Sequence, residues 1–441
     1  MIDLPEKRGE AAMQLKEKVY WHDTTNMPSD QNLQELPARV DYVVVGAGIP
    51  GLSAARQLAK RGASVAVLEA ETIGWGASSR NGGMALTGLK LDAAVVETRY
   101  GHDLTRQLFD DSLASLETVA QIIQQEAIEC GFARTGHLLV ANKPAHYEAM
   151  QKEADWYHQH FNHVTLLVPK GELQGEIASK VYFGGMVDET SAGLNPAQYT
   201  VGLANAAARA SVQLFPRARL IQIEKITAGY KLKTLRGEII AGQVLVTTGG
   251  YTKAATPQLQ NRIIPIGSYI IATQPVSEAL ARELIPHNRM VFDYRHFLNY
   301  YRFSADHRMV FGGRAAFFPE TSSSIRTSAE ILQREMVHVF PQLSDAQVEY
   351  AWGGTLDFAF DQMPHAGQIA GIYYALGFAG HGVALGTHLG LRMADAILDG
   401  TVSALPYAAY PFPTAPLGLY NGRPWFLPLI GLWHRILDWI Y

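Results

Sequence analysis

The run DYVVVGAGIPGLSAARQLAKRGASVAVLEA, residues 41–70, decides the fold. A continuous apolar run at 42–45 predicts a strand buried on both faces. Apolar residues at helical spacing then predict a helix over 52–61, and a second buried strand follows at 65–68. Because parallel strands need such a helical crossover, this stretch predicts a Rossmann-type α/β domain.

The turn between the first strand and the helix, Gly46 to Gly51, carries the glycine spacing of a dinucleotide fingerprint. Gly46 allows the sharp exit from the strand, Gly48 lets a pyrophosphate approach the backbone, and Gly51 lets the helix lie close to the sheet. Free N–H groups at the helix start favour the phosphates. A carboxylate at the tip of the second strand can accept hydrogen bonds from a ribose diol. The predicted dinucleotide contacts are Gly46, Ala47, Gly48, Ile49, Pro50, Gly51, Glu69 and Ala70.

A second loop of small residues, GWGASSRNGGM at 74–84, follows directly. Its backbone and serine hydroxyls can hold a second phosphate, with Arg80 supplying charge. Its position one strand after the fingerprint favours a cofactor contact over a flexible surface loop. The candidate cofactor residues here are Gly76, Ala77, Ser78, Ser79, Arg80, Asn81, Gly82, Gly83 and Met84.

Together these motifs resemble the FAD-dependent amine and amino-acid oxidoreductases, the family of glycine oxidase, sarcosine oxidase and D-amino-acid dehydrogenase. The resemblance extends from about residue 41 to about residue 413, and the run GWGASSRNGG is most similar to the family's amine-oxidising members. Later matches, in the family's order, are Asn195-Pro196, the run 244–251, Tyr300-Tyr301-Arg302, Met363-Pro364 and the run 377–382. The resemblance implies a Rossmann-type FAD-binding domain with an interleaved mixed-sheet α+β substrate domain.

The predicted division of the chain follows from that resemblance. We expect an N-terminal extension at 1–38, an FAD-binding domain from 39–88, 195–262 and 349–410, a substrate domain from 89–194 and 263–348, and an aromatic tail at 411–441. The extension is interpreted as lying on the surface, with a short helix around 10–20. The tail is charged and too short to span a bilayer, so packing on the body or on a second subunit is favoured over contact with a membrane.

Further cofactor contacts are implied by the family. The strand ending at Thr248 and Gly249 would close the sheet behind the adenosine, and a helix beginning near 383 would point its N-terminus at the flavin, where it stabilises negative charge. The implied contacts are Thr248, Gly249, Gly354, Gly380, His381, Gly382 and Val383. Several relatives tether FAD through a cysteine in this region. Cys130, the only cysteine, lies in the other domain, so we expect non-covalent FAD.

Amine oxidation to an imine, with O2 or another acceptor taking the electrons, is the activity implied by the resemblance. A shielded aromatic pocket would favour the neutral amine. The candidate catalytic residues are Tyr300, Tyr301, Arg302, Trp352 and His381, with Arg302 or Arg314 holding the carboxylate of a gamma-glutamylated or otherwise carboxylate-bearing amine. Neighbours on a strand face opposite ways, so the choices between Tyr300 and Tyr301 and between the two arginines stay open. His381 either meets flavin or substrate or fills the turn.

The amino-acid composition limits the possible functions and cellular location of the protein. The 441 residues are 48% hydrophobic, enough for a large core, and the net charge of −4 gives no reason to expect nucleic acid. One cysteine excludes an internal disulfide or a multi-cysteine metal site and favours the cytoplasm. Three histidines near a helix end, His158, His160 and His163, are interpreted as a solvated face, with no metal. The functional alternatives are a quinone-linked dehydrogenase at the membrane surface and a non-catalytic flavoprotein.

Overall fold

Two eight-stranded sheets dominate the computed structural model, which describes residues 15–29, 33–295, 298–316, 321–415 and 420–427. The strands are β1 (Arg39–Val45), β2 (Val65–Leu68), β3 (Met84–Ala85), β4 (His137–Val140), β5 (Leu166–Pro169), β6 (Gly184–Asp188), β7 (Ala192–Gly193), β8 (Gln213–Phe215), β9 (Leu220–Ile226), β10 (Gly229–Thr234), β11 (Gly237–Val246), β12 (Ile263–Thr273), β13 (Met290–Asp293), β14 (Tyr300–Phe303), β15 (Met309–Ala316), β16 (Val348–Ala359), β17 (His365–Ile369) and β18 (Ile372–Leu376). The helices are α1 (Tyr20–Asp23), α2 (Ile49–Lys60), α3 (Ala93–Tyr100), α4 (His102–Glu126), α5 (Pro144–Phe161), α6 (Pro196–Arg209), α7 (Pro257–Gln260), α8 (Glu278–Leu284), α9 (Ser322–Val339) and α10 (Ala384–Asp399).

The first sheet has the order β17-β18-β11-β1-β2-β8, with β9 and β10 as an antiparallel extension. Its centre is parallel, and Val43 pairs with Ala66 on one side and with Val244 on the other. Buried on both faces, β1 and β2 carry the continuous apolar runs that such strands need. The predicted Rossmann-type domain is confirmed.

The second sheet has the order β16-β12-β15-β14-β13-β4-β6-β5. Its pairings are antiparallel except for β13 beside β4, which confirms the predicted mixed sheet. Strand β16 belongs to this sheet, so the chain returns to the first sheet only after Ala359.

The sequence at 214–224 suggests one strand, but the structure has two strands there. Strand β8 ends at Phe215 and pairs with β2, whereas β9 begins at Leu220 and pairs with β10. Pro216 lacks the N–H that a continuing ladder requires, and Arg217 turns the chain with a positive φ of 58°.

The surface position expected for the N-terminal extension is also wrong for residues 19–21. Val19, Tyr20 and Trp21 are buried, and Trp21 is only 2% exposed. The helix here is α1, which begins at Tyr20, so the helix expected around 10–20 is wrong for residues 15–19, and residues 10–14 lie outside the described residues. Apolar side chains spaced along an irregular segment were missed because they follow neither the helix nor the strand period.

Helix α10 crosses α2 closely. A Cβ at Gly390 would lie 2.3 Å from the Pro50 carbonyl oxygen, so only glycine allows this approach. Gly386 also lies against Pro50, so this packing brings the start of α10 to the fingerprint turn. No helix within the described residues is long and apolar enough to cross a membrane, and the tail beyond 427 lies outside them.

Candidate active site

A cavity of about 450 Å³ opens at the carboxyl ends of β1, β2 and β11. Such an edge is where ligands bind in parallel α/β sheets. The predicted cofactor residues that line it are Gly46, Gly48, Ile49, Pro50, Glu69, Ala70, Gly76, Ala77, Ser78, Asn81, Thr248, Gly249, Gly380, Gly382 and Val383. Those that lie behind this lining are Ala47, Gly51, Ser79, Arg80, Gly82, Gly83, Met84, Gly354 and His381. Segments that are far apart in the chain therefore line the same cavity.

The fingerprint turn leaves bare backbone facing this cavity. A Cβ at Gly48 would lie 2.7 Å from the Ser78 hydroxyl oxygen, and one at Gly51 would lie 2.1 Å from the Gly46 carbonyl oxygen. The Ile49 N–H donates to the same Ser78 hydroxyl at 2.9 Å. Gly46 and Gly48 line the cavity beside the start of α2, so bare backbone lies where the pyrophosphate of a dinucleotide would approach.

Glu69 is positioned by the backbone around it. Its carboxylate accepts the N–H of Ala47 at 2.8 Å and that of Glu71 at 2.9 Å. Burial raises its pKa, and these N–H donors oppose that effect. Two N–H bonds leave lone pairs free on the carboxylate, so a ribose diol can still donate to it.

Three successive carbonyls of the 74–84 loop are held from outside the cavity. Indole N–H groups donate to two of them, Trp352 to Arg80 and Trp21 to Asn81, each at 2.8 Å. The third, Gly82, accepts from the Arg302 Nε at 2.8 Å. The loop is thus clamped on its far side, while Ser78 and Asn81 line the cavity on the near side.

Arg80 lies away from the cavity. Its guanidinium stacks 4.3 Å from the Trp75 ring centroid and donates to the carbonyls of Trp75 and Gly353. The charge expected to meet a second phosphate therefore joins this loop to β16. Gly354 meets the same side chain, since a Cβ there would lie 3.5 Å from the Arg80 Cβ.

Arg302 does not point to a free substrate position, which corrects its assignment as a carboxylate clamp. It is 8% exposed and donates to the carbonyls of Gly82 at 2.8 Å and Leu194 at 2.5 Å. Burial lowers its pKa to about 10, so it stays charged at neutral pH. The side chain of Arg314, the other candidate, lies outside the described residues.

The register of β14 separates the two tyrosines. Tyr301 stacks on Phe311 at 5.0 Å and its hydroxyl meets that of Tyr182 at 2.8 Å, deep in the core behind the sheet. Its assignment to the substrate pocket is therefore corrected. Tyr300 lies on the opposite face, between Gly312 of the sheet and Gly82 of the cofactor loop, where a glycine Cβ would meet its ring at 2.3 and 3.1 Å respectively.

The other two catalytic candidates differ in their surroundings. Trp352 is 1% exposed and packs with Trp21, so it supports the cofactor loop and does not form an open pocket wall. His381 lies where the chain enters α10, and its Nδ1 has no hydrogen-bond partner among the described residues. Burial lowers its pKa to about 4, with contributions from Lys90 and His137, which leaves the ring neutral at pH 7.

The sequence analysis did not identify some of the side chains that line the cavity. Asp357 lines the cavity and accepts the Gly377 N–H at 2.7 Å, and Arg219 and Lys253 line its other parts. No local pattern distinguishes them, because they meet at the cavity only when distant segments of the chain pack together. The solvated-face interpretation is wrong for His163, which is mostly buried and pairs with Asp188 at 2.9 Å. No cluster of metal-ligating side chains occurs within the described ranges.

Comparison with known proteins agrees with this geometry. Residues 41–396 match the family described as DAO, FAD dependent oxidoreductase. A probable oxidoreductase OrdL of Haemophilus influenzae is 33% identical over 86% of this chain and 88% of its own length. Gamma-glutamylputrescine oxidoreductase of Escherichia coli is 32% identical over 85% of this chain and 88% of its own. The crystal structure of glycine oxidase from Geobacillus kaustophilus superposes with a TM-score of 0.72 at 20% identity, covering 86% of this chain and 99% of that one.

Proposed function

This chain belongs to the family of FAD-dependent oxidoreductases, and from that premise we propose that it oxidises the carbon–nitrogen bond of a carboxylate-bearing amine. The amine R–CH2–NH2 loses two electrons and two protons to become the imine R–CH=NH, which water hydrolyses to an aldehyde and ammonia. O2 takes the electrons and the protons and leaves as hydrogen peroxide. The relative named for gamma-glutamylputrescine suggests a gamma-glutamylated amine as the first substrate to try.

The observation that carries this proposal is the position of Tyr300 against the cofactor loop. Its ring covers Gly312, its hydroxyl reaches Ser268 at 3.2 Å, and its other edge faces Gly82. FAD, when bound, supplies the two-electron acceptor. The residues of this chain shield the reacting carbon from water and hold the amine in its neutral form.

His381 suits a hydrogen bond to the substrate nitrogen. With a pKa of about 4 its ring carries no charge at pH 7, so it does not repel a residual ammonium. Its Nδ1 is buried and lacks a partner within the described residues, so a rotation of the ring towards the cavity would let it accept an N–H of the amine. The ring thereby orients the nitrogen while the proton leaves to solvent.

Lys90 is the cation that we propose for the substrate carboxylate, in place of Arg302. Leu89 and Leu91, on either side of Lys90, pack against the hydrophobic core. Burial lowers the pKa of Lys90, and no acidic side chain among the described residues offsets that effect. The charge of Lys90 also contributes to the lowered pKa of His381.

Anaerobic mixing of the FAD-loaded enzyme with gamma-glutamylputrescine tests the proposal. Flavin bleaching should saturate with this amine, and replacing its carboxylate by a neutral carboxamide should weaken binding by roughly tenfold or more. Lys90→Met should abolish that preference, whereas the exposed Lys180→Met should keep it. Equal bleaching by amines without a carboxylate would contradict the proposal that the substrate carries one. If no amine bleached the flavin, the alternative of a non-catalytic flavoprotein would be favoured.

The acceptor is tested by admitting air after reduction. Rapid reoxidation with hydrogen peroxide release is expected of an oxidase, whereas slow reoxidation that quinone accelerates would favour the alternative dehydrogenase. We also propose a cytoplasmic location and non-covalent FAD. The FAD proposal rests on Cys130, which is buried in the core and absent from the cavity lining.

A further inference from the structure

The N-terminal segment, residues 15–29, lies on the outer side of the cofactor loop. Its main chain pairs with β16, where the Lys16 N–H donates to the Glu349 carbonyl at 2.8 Å and the Ala351 N–H donates to the Lys16 carbonyl at 3.0 Å. An ion pair between the Lys16 and Glu349 side chains reinforces this pairing. The segment is thus fixed to the edge of the second sheet before it reaches the loop.

Two consecutive side chains of this segment then reach the 74–84 loop. The Trp21 indole N–H donates to the Asn81 carbonyl at 2.8 Å. The Nε2 of His22 lies 2.8 Å from the Ser79 hydroxyl, whose own proton goes to the Gly74 carbonyl at 2.5 Å. Because a hydroxyl has one proton to give, His22 must donate through Nε2.

The position of Trp21 requires a tryptophan side chain. Phenylalanine would bury a comparable ring, but only an indole combines that bulk with an N–H donor aimed at Asn81. Its ring also faces the Arg302 guanidinium at 5.5 Å, which itself holds the next carbonyl, Gly82. The other face of the same loop, including Ser78 and Asn81, lines the dinucleotide cavity.

We propose that residues 15–29 form part of the FAD site, with Trp21 as a positioning residue that sets the 74–84 loop against the cofactor through the Asn81 carbonyl. The segment precedes the fingerprint in the chain, and its hydrogen bond from Trp21 goes to Asn81, a residue of the cavity lining. Its effect on the cofactor is therefore transmitted through the loop. Linkage makes the effect reciprocal, so FAD should also tighten the segment.

Trp21→Phe in the full chain tests the positioning role. The loss of one neutral hydrogen bond should weaken FAD binding by about 3- to 10-fold, measured by titrating apoprotein with FAD. The visible absorption and circular dichroism of bound FAD should also change, which a merely structural role elsewhere would not cause. Trp425→Phe is the matched control, because Trp425 is 61% exposed. Unchanged FAD affinity and spectra in Trp21→Phe would overturn the proposal.

Hydrogen exchange in the unmutated protein keeps the test independent of folding defects. Backbone amides at 19–25 should exchange more slowly with FAD bound than in apoprotein, whereas amides in the middle of α5, remote from the loop, should not differ. Equal exchange at 19–25 in the two forms would overturn the reciprocal coupling and with it the proposal. Neither readout depends on amine oxidation, so a failure of the proposed substrate leaves this inference standing.

Discussion

Replacing Arg302 by methionine should damage the fold and the cofactor site before it affects substrate recognition. The guanidinium donates to the carbonyls of Gly82 and Leu194, and it is 8% exposed. Methionine fills similar volume but leaves both carbonyls without their donor. Hydrogen bonds to a charged group contribute about 1.5–3 kcal/mol each, so the two together set an expected loss of about 3–6 kcal/mol.

The assay is urea denaturation of apoprotein, followed by tryptophan fluorescence, with FAD titration of the native protein. Arg302→Met should lower the denaturation midpoint and weaken FAD binding, because the Gly82 carbonyl belongs to the cofactor loop. Arg302→Lys should recover little, since one ammonium cannot span both carbonyls. Arg282→Met is the surface control, where an exposed ion pair to Glu278 predicts a change below about 1 kcal/mol.

One result would refute this reasoning. If Arg302→Met kept the wild-type midpoint and full FAD, yet bound gamma-glutamylputrescine tenfold more weakly while binding its neutral carboxamide normally, the arginine would be a substrate clamp. The observed hydrogen bonds would then be incidental to its role.

Three other substitutions follow from single contacts. Gly51→Ala should abolish FAD binding, because its Cβ would lie 2.1 Å from backbone, whereas Gly171→Ala, with open space around it, should bind FAD normally in the same titration. Tyr301→Phe should cost about 1 kcal/mol in urea denaturation and leave the flavin spectrum unchanged, since its hydroxyl bonds only within the core. Burial raises the pKa of Asp357 from 3.8 to about 6, so its stabilising contribution is present below pH 3.8 and lost as pH rises through 6. Asp357→Asn should therefore gain up to about 3 kcal/mol over wild type between pH 4 and pH 7 in denaturation series, and a constant difference would contradict the assignment.

Local chemistry was sufficient to identify the cofactor half of the molecule. The fingerprint turn needs Gly46 at a positive φ of 106° and Gly51 against backbone, and those requirements act over a few residues. The strand and helix periods of 41–70 likewise depend on near neighbours. The small residues of α10 predicted its close approach to α2 for the same reason, because the absence of a side chain is visible in the sequence itself.

Only the tertiary structure decides the direction in which these side chains point. Tyr300 and Tyr301 are adjacent residues of the same type, so the sequence does not distinguish their positions. The pairing of β14 with β13 and β15 directs Tyr300 towards the cofactor loop and Tyr301 into the core. Arg302 finds its acceptor 220 residues away at Gly82, and Trp21 finds its own 60 residues away at Asn81. A sequence pattern reports periodicity within an element, whereas these bonds depend on which elements meet, and that is set by the packing of the two sheets.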